Sequence, residues 1–128
     1  MYEETPKNAV IFATTGTDGC HYCMVESENG INIYLVFPNM GKESVRLVGH
    51  SMNELLSYAL SINGLFDCVF NLEKNLFLEE VKNLKDELKT KLNSNRFIND
   101  LNALKLIYQI KNVPASEVYD TLREMNRI

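Results

Sequence analysis

The chain lacks most of the signals that would name a chemistry outright. It has 128 residues, only two histidines and three cysteines, and no tryptophan. Three cysteines are an odd and sparse set, so a disulfide-stapled secreted scaffold is excluded as the frame of the fold. Cys20 and Cys23 lie too close along one predicted strand to bridge each other comfortably, and all three thiols are expected to be reduced. No window approaches the roughly 20 uninterrupted apolar residues of a bilayer span. The opening Met1-Tyr2-Glu3-Glu4-Thr5-Pro6-Lys7 has no apolar secretory core, so the expected location is cytoplasmic. No internal repeat and no low-complexity tract is visible.

An excess of positive charge is also missing. The formal charge is -4, and all of it belongs to the first half. Residues 1–62 hold three bases (Lys7, Lys42, Arg46) against seven acids (Glu3, Glu4, Asp18, Glu26, Glu28, Glu43, Glu54), while residues 63–128 hold ten of each sign. Nucleic acid and anionic membrane are recognised by clustered Lys and Arg, so this balance disfavours both as partners. It favours a basic partner through electrostatic steering; the plainer reading is a solvated acidic surface kept for solubility.

What is present is an ordinary soluble composition, 45% hydrophobic and 23% charged, long enough for one domain spanning residues 1–128. The chain is organised around Ala9-Val10-Ile11-Phe12-Ala13, the turn-rich Thr14-Thr15-Gly16-Thr17-Asp18-Gly19, and Cys20-His21-Tyr22-Cys23-Met24-Val25. Two β-prone runs around a Gly/Asp/Thr connector predict an antiparallel pair. The first strand is apolar on both faces, which predicts cover on both sides. In the second, His21, Cys23 and Val25 share one face, and Cys20, Tyr22 and Met24 the other. After the Glu26–Gly30 loop, a third strand over Ile31–Phe37 puts Ile31, Ile33, Leu35 and Phe37 on its core side. A fourth, shorter strand runs over Ser44–Gly49. Ser51-Met52-Asn53-Glu54 is a capping box, opening a helix through Met52, Leu55, Leu56, Ala59 and Leu60 that Asn63-Gly64 stops.

Beyond Gly64 the pattern is helical. Leu65, Phe66, Val69 and Phe70 predict a short apolar plug. Phe77, Val81, Leu84, Leu88 and Leu92 trace a longer amphipathic helix, broken at Asn93-Ser94-Asn95. A helix over roughly Phe97–Ile110 follows, and Pro114 and Ser116 open a last one through Val118, Tyr119, Leu122 and Met125. The expected fold is α+β: a small antiparallel sheet of about four strands covered by the capped helix (residues 8–62), with a helical region (65–128) packed on it.

No constellation in the sequence dictates a reaction. Cys20, His21 and Cys23 are soft-metal ligand types, but on a strand Cys20 points away from the other two, and no second close ligand pair exists. No metal and no cofactor is expected. His21 and Cys23 share a face but have no evident orienting group for nucleophilic catalysis. The Thr14–Gly19 loop lacks a P-loop lysine and precedes a strand rather than a helix, so it reads as a turn, with an exposed recognition loop as the alternative.

Between Val10 and Leu60 the succession Ile11-Phe12-Ala13-Thr14-Thr15-Gly16-Thr17-Asp18-Gly19, His21-Tyr22 and Arg46-Leu47-Val48-Gly49-His50-Ser51-Met52-Asn53-Glu54-Leu55-Leu56 resembles small uncharacterised bacterial proteins. More distantly it resembles the second half of the SMI1/KNR4 (SUKH) superfamily domain. The resemblance implies an α+β sheet packed by helices. It also implies a role by protein contact, which in many bacterial members is an immunity protein binding and neutralising a toxin. The expected function is therefore a non-enzymatic protein-binding module that takes a protein partner, a basic, toxin-like one being the kind the charge favours. The alternatives are a structural or homo-oligomeric protein, and a small ligand binder or enzyme using His21, Cys23 or Asp18. Candidate partner-contacting residues are Asp18 and Glu43, acids in two turns, and Met40, an apolar residue beside the second.

Overall fold

A computed structural model describes residues 6, 8–14, 19–38, 44–91 and 95–127. The fold is α+β, a four-stranded antiparallel sheet followed by five helices. The chain divides into two compact units, Met1–Leu55 and Leu56–Ile128, and the helix α1 (Met52–Ser61) crosses from one to the other.

The first unit is a meander: β1 (Val10–Thr14), β2 (His21–Ser27), β3 (Gly30–Val36) and β4 (Val45–Gly49) stand side by side in chain order. A meander follows from the short polar connectors, because a few residues permit only antiparallel neighbours. At the β2–β3 reversal Gly30 has a φ of 121°, which an L side chain rarely adopts. The β2–β3 register sets Cys23 opposite Tyr34 and His21 opposite Val36 on one face, with Tyr22 opposite Leu35 and Met24 opposite Ile33 on the other. Both faces of this central pair hold buried residues: His21, Cys23 and Val36 on the first, Ile33 and Leu35 on the second. Two irregularities bend the sheet. One extra residue, Phe12, interrupts the pairing between Ile11 and Ala13 of β1, and β4 shifts register opposite Ile33 and Tyr34.

The expected cover over both sides of the first strand is wrong. Val10, Ile11 and Phe12 are 66%, 39% and 38% exposed, and β1 is the edge of the sheet. Its two-sided apolar pattern looks like that of a strand buried from both faces, but side-chain pattern does not encode how many neighbours a strand has. Ile31, expected on the core side of β3, is likewise exposed next to the Gly30 turn.

The predicted cap is present. Ser51 Oγ accepts the Glu54 amide at 3.0 Å, while the Glu54 carboxylate accepts the His50 amide at 3.3 Å, one residue earlier than in the usual box. Gly49 lets β4 come close to this first turn; a Cβ there would stand 3.2 Å from the Leu55 nitrogen. At the other end Asn63 is left-handed (φ 53°), and the Gly64 amide reaches back to the Ala59 carbonyl at 2.8 Å, which is a Schellman stop.

In the second unit, α2 (Phe66–Asn71), α3 (Lys74–Lys91) and α5 (Ala115–Met125) pack together. Phe66, Val69, Phe77, Val81, Val118, Tyr119 and Leu122 are buried. The Phe77 and Tyr119 rings stand 5.1 Å apart. The helix α4 (Asn95–Tyr108) ends without glycine: Gln109 takes a φ of 50°, and the Ile110 amide reaches the Lys105 carbonyl at 3.4 Å. The segment after it is held by α1. Ser57 Oγ accepts the Lys111 amide at 3.0 Å, and Ser61 Oγ accepts that of Val113 at 3.4 Å while donating to the Ser57 carbonyl.

Candidate functional site

The sequence-predicted partner residues Asp18, Met40 and Glu43 lie outside the described residues, as do Asn93 and Ser94 of the expected Asn93-Ser94-Asn95 break; Asn95, the third residue of that break, is instead the first residue of α4. The other candidates are placed. His21 and Cys23 are buried on one face of β2. The His21 Nδ1 is 2.9 Å from the Gly19 carbonyl and donates to it. Burial pushes the Cys23 thiol above its ordinary pKa, the wrong direction for a nucleophile. Cys68 is pushed the same way, first by burial and then by the charges of Asp67 and Glu80 and a hydrogen bond with Asp67. None of the three cysteines is in a disulfide. Among the described residues no group of three His, Cys, Asp or Glu side chains comes together as a metal site, and no helix is long and apolar enough to cross a membrane.

One polar cluster was not foreseen. The His50 Nδ1 is 2.9 Å from Asn32 Oδ1, and Asn32 Nδ2 donates to the Tyr34 hydroxyl at 3.3 Å. With the Asn32 amide oriented this way, His50 Nδ1 is the donor of their bond and Asn32 Oδ1 the acceptor. Asn32 and Tyr34 share a face of β3, a signal legible from spacing; what brings His50 to them is the β3–β4 pairing, which spacing does not contain. Such an imidazole is oriented as a base would be, but no hydroxyl or thiol among the described residues is paired with it as a nucleophile.

The two edges of the sheet differ. On β4, Val48 and Gly49 are buried and the other three residues are half-buried. On β1, four of the five residues are exposed. The exposed run Val10-Ile11-Phe12 carries no charge and no proline, the features that usually blunt an edge; among the described residues the device present is the bulge at Phe12. The Phe12 ring leans toward Tyr22, with centroids 6.3 Å apart, which ties the bulged residue to β2. Among the described residues no strand pairs with the outer side of β1, so alternate backbone N–H and C=O groups there face outward. A second apolar exposure lies on α4, where Leu106 and Ile107 are 83% and 71% exposed. No family model matches the chain, and no curated protein or solved structure matches it either.

Proposed function

We propose that this chain is a non-enzymatic protein-binding module that contacts its partner through the β1 edge. The observation that carries this reading is the exposure of three consecutive large apolar residues, Val10, Ile11 and Phe12, on an uncharged edge strand. Exposed apolar surface of this kind is retained where something covers it. The net charge of -4 in residues 1–62 supports a basic partner. The resemblance of residues 10–60 to the SMI1/KNR4 superfamily supports an immunity-type task, in which that partner is a toxin that binding neutralises.

The test is capture with the whole chain as bait, identification of the bound protein, and affinity measurement with the purified partner. Val10→Lys is expected to weaken binding by about tenfold or more, as apolar contact is replaced by a charge that opposes a basic surface. A partner held equally by the parent and by Val10→Lys overturns the reading. Self-association is the second reading, favoured by the exposed Leu106 and Ile107 of α4; light scattering giving a monomer across the accessible concentration range removes it.

A further inference from the structure

We infer that the β1 edge recognises its partner by strand addition: it takes an extended segment of a basic protein as a fifth strand. This rests on the binding-module reading and adds to it the mode of recognition and the class of ligand. A bare sheet edge specifies its occupant more narrowly than an apolar patch does. Its outward N–H and C=O groups repeat with the period of a strand and are matched by another extended backbone. The side chains beside them, Val10, Ile11 and Phe12, favour β-branched and aromatic neighbours across the new pair.

Three observations separate this edge from the rest of the sheet and this occupant from a second copy. The central strands bury side chains on both faces, and β4 is half-buried to buried along its length, so among the strands β1 offers the open position. Residues 1–55 carry the entire charge of -4, so two copies meeting at this edge would bring like charge together, whereas a basic segment gains from the same field. Five residues at about 3.4 Å each make an edge about 17 Å long. Pairing along that length falls short of the roughly 1,200 Å² buried by a stable dimer, and suits a peptide segment whose main-chain bonds supply the affinity. The bulge at Phe12 sets where the added strand is in register, because an extra residue breaks the alternation on both sides of it.

The experiment uses the whole chain, isotope-labelled, titrated with a synthetic peptide of alternating valine and threonine flanked by lysines. Two control peptides keep the same central run. One is backbone N-methylated at alternate residues, and the other carries glutamates in place of the lysines. The lysine-flanked peptide is expected to shift and protect amides within residues 10–14. N-methylation should weaken it by about tenfold or more, and glutamate flanks should weaken it severalfold at low salt. Equal binding of the N-methylated peptide overturns strand addition while leaving the binding-module reading in place. No shift within 10–14 at millimolar peptide overturns strand addition too; the captured partner and Val10→Lys then judge the broader reading separately. Equal binding of the glutamate-flanked peptide overturns the basic ligand. Concentration-dependent protection of the same amides without peptide overturns it in favour of a second copy.

Discussion

The second unit contains an interaction whose worth can be worked out atom by atom. The helix α2 has only six residues, and its last carbonyls have no further turn to bond to. An arginine and a tyrosine from α5 satisfy them. Arg123 Nη1 lies 3.0 Å from the Val69 carbonyl, 3.3 Å from that of Leu72 and 2.8 Å from the Tyr119 hydroxyl. The Tyr119 hydroxyl itself donates to the Leu72 carbonyl at 2.8 Å. The guanidinium carbon is 5.1 Å from the Tyr119 ring centroid. Because Nη1 carries two hydrogens, its three acceptors amount to two effective bonds, one of them shared. Bonds from a charged donor are worth about 1.5–3 kcal/mol each, but Arg123 is only half-buried, and water reaches part of what it leaves behind. Arg123→Met is therefore expected to cost about 2 kcal/mol. Tyr119→Phe should cost about 1 kcal/mol, because the Leu72 carbonyl keeps Arg123. The double variant should depart from the sum by about 0.5–1 kcal/mol, since the two groups share the Leu72 carbonyl and bond each other.

Urea unfolding followed by helical circular dichroism measures all three variants. With a slope of about 1 kcal/mol per molar for a unit this small, 2 kcal/mol moves the midpoint by about 2 M. Lys74→Met is the control. Its ion pair with Asp120 at 2.7 Å is exposed on both sides, so it should cost less than about 0.5 kcal/mol. The reasoning fails if Arg123→Met is no more costly than Lys74→Met, or if the double variant is fully additive.

Ser51→Ala removes the acceptor of the Glu54 amide and should lower stability by about 1 kcal/mol; an unchanged melting curve would mean that α1 does not depend on its cap. The raised pKa values of Cys23 and Cys68 predict a stability that depends on pH in the alkaline range. The folded state holds these thiol protons more tightly than the unfolded chain. Their contribution is thus fully present below the ordinary 9.0 and is lost as pH rises from there through the folded values. Denaturant midpoints at a series of pH values, for the parent and for Cys23→Ala with Cys68→Ala, check this; a double variant with the same alkaline fall rules out the thiols as its cause. In thiol labelling at neutral pH, Cys23 should react only as fast as the protein opens, because it is wholly buried.

What could be read from the sequence was whatever local chemistry decides. β-prone runs between turn residues place all four strands within two residues of their bounds, and alternation puts His21 with Cys23 on one face of β2. Ser51 and Glu54 announced the start of α1, and Asn63-Gly64 its end. The apolar plug of Phe66 and Val69 became α2. What could not be read depends on partners distant in sequence. The meeting of His50 with Asn32 joins residues 18 apart, and Arg123 reaches Val69 across 54. The end of α4 at Gln109 carries no glycine or proline signal at all. The exposure of Ile107 goes against the helical spacing that sets it with Leu101, Leu104 and Tyr108.

The edge strand shows most clearly where pattern reading stops and why the remainder concerns function. Val10-Ile11-Phe12-Ala13 is the composition of a strand enclosed on all sides, and folding alone would place it at the centre of a sheet. The meander instead leaves it outermost, because the short connectors fix the strand order as the chain order. Local preference and global position disagree at this strand, while they agree at β2 and β3. A protein that only had to fold would resolve the conflict with a lysine or a proline, as natural edges do. A strand that accepts another strand needs an apolar, uncharged edge, because any charge there would have to be desolvated on pairing. The acidic residues of this half stand elsewhere than on β1, so in the proposed strand addition attraction at long range and pairing at short range would fall to different residues. Transferring one lysine to position 10 should therefore disturb the contact step and leave the fold intact, since Val10 is two-thirds exposed. A Val10→Lys variant that lost stability rather than binding would show that the edge is apolar for the sake of the fold.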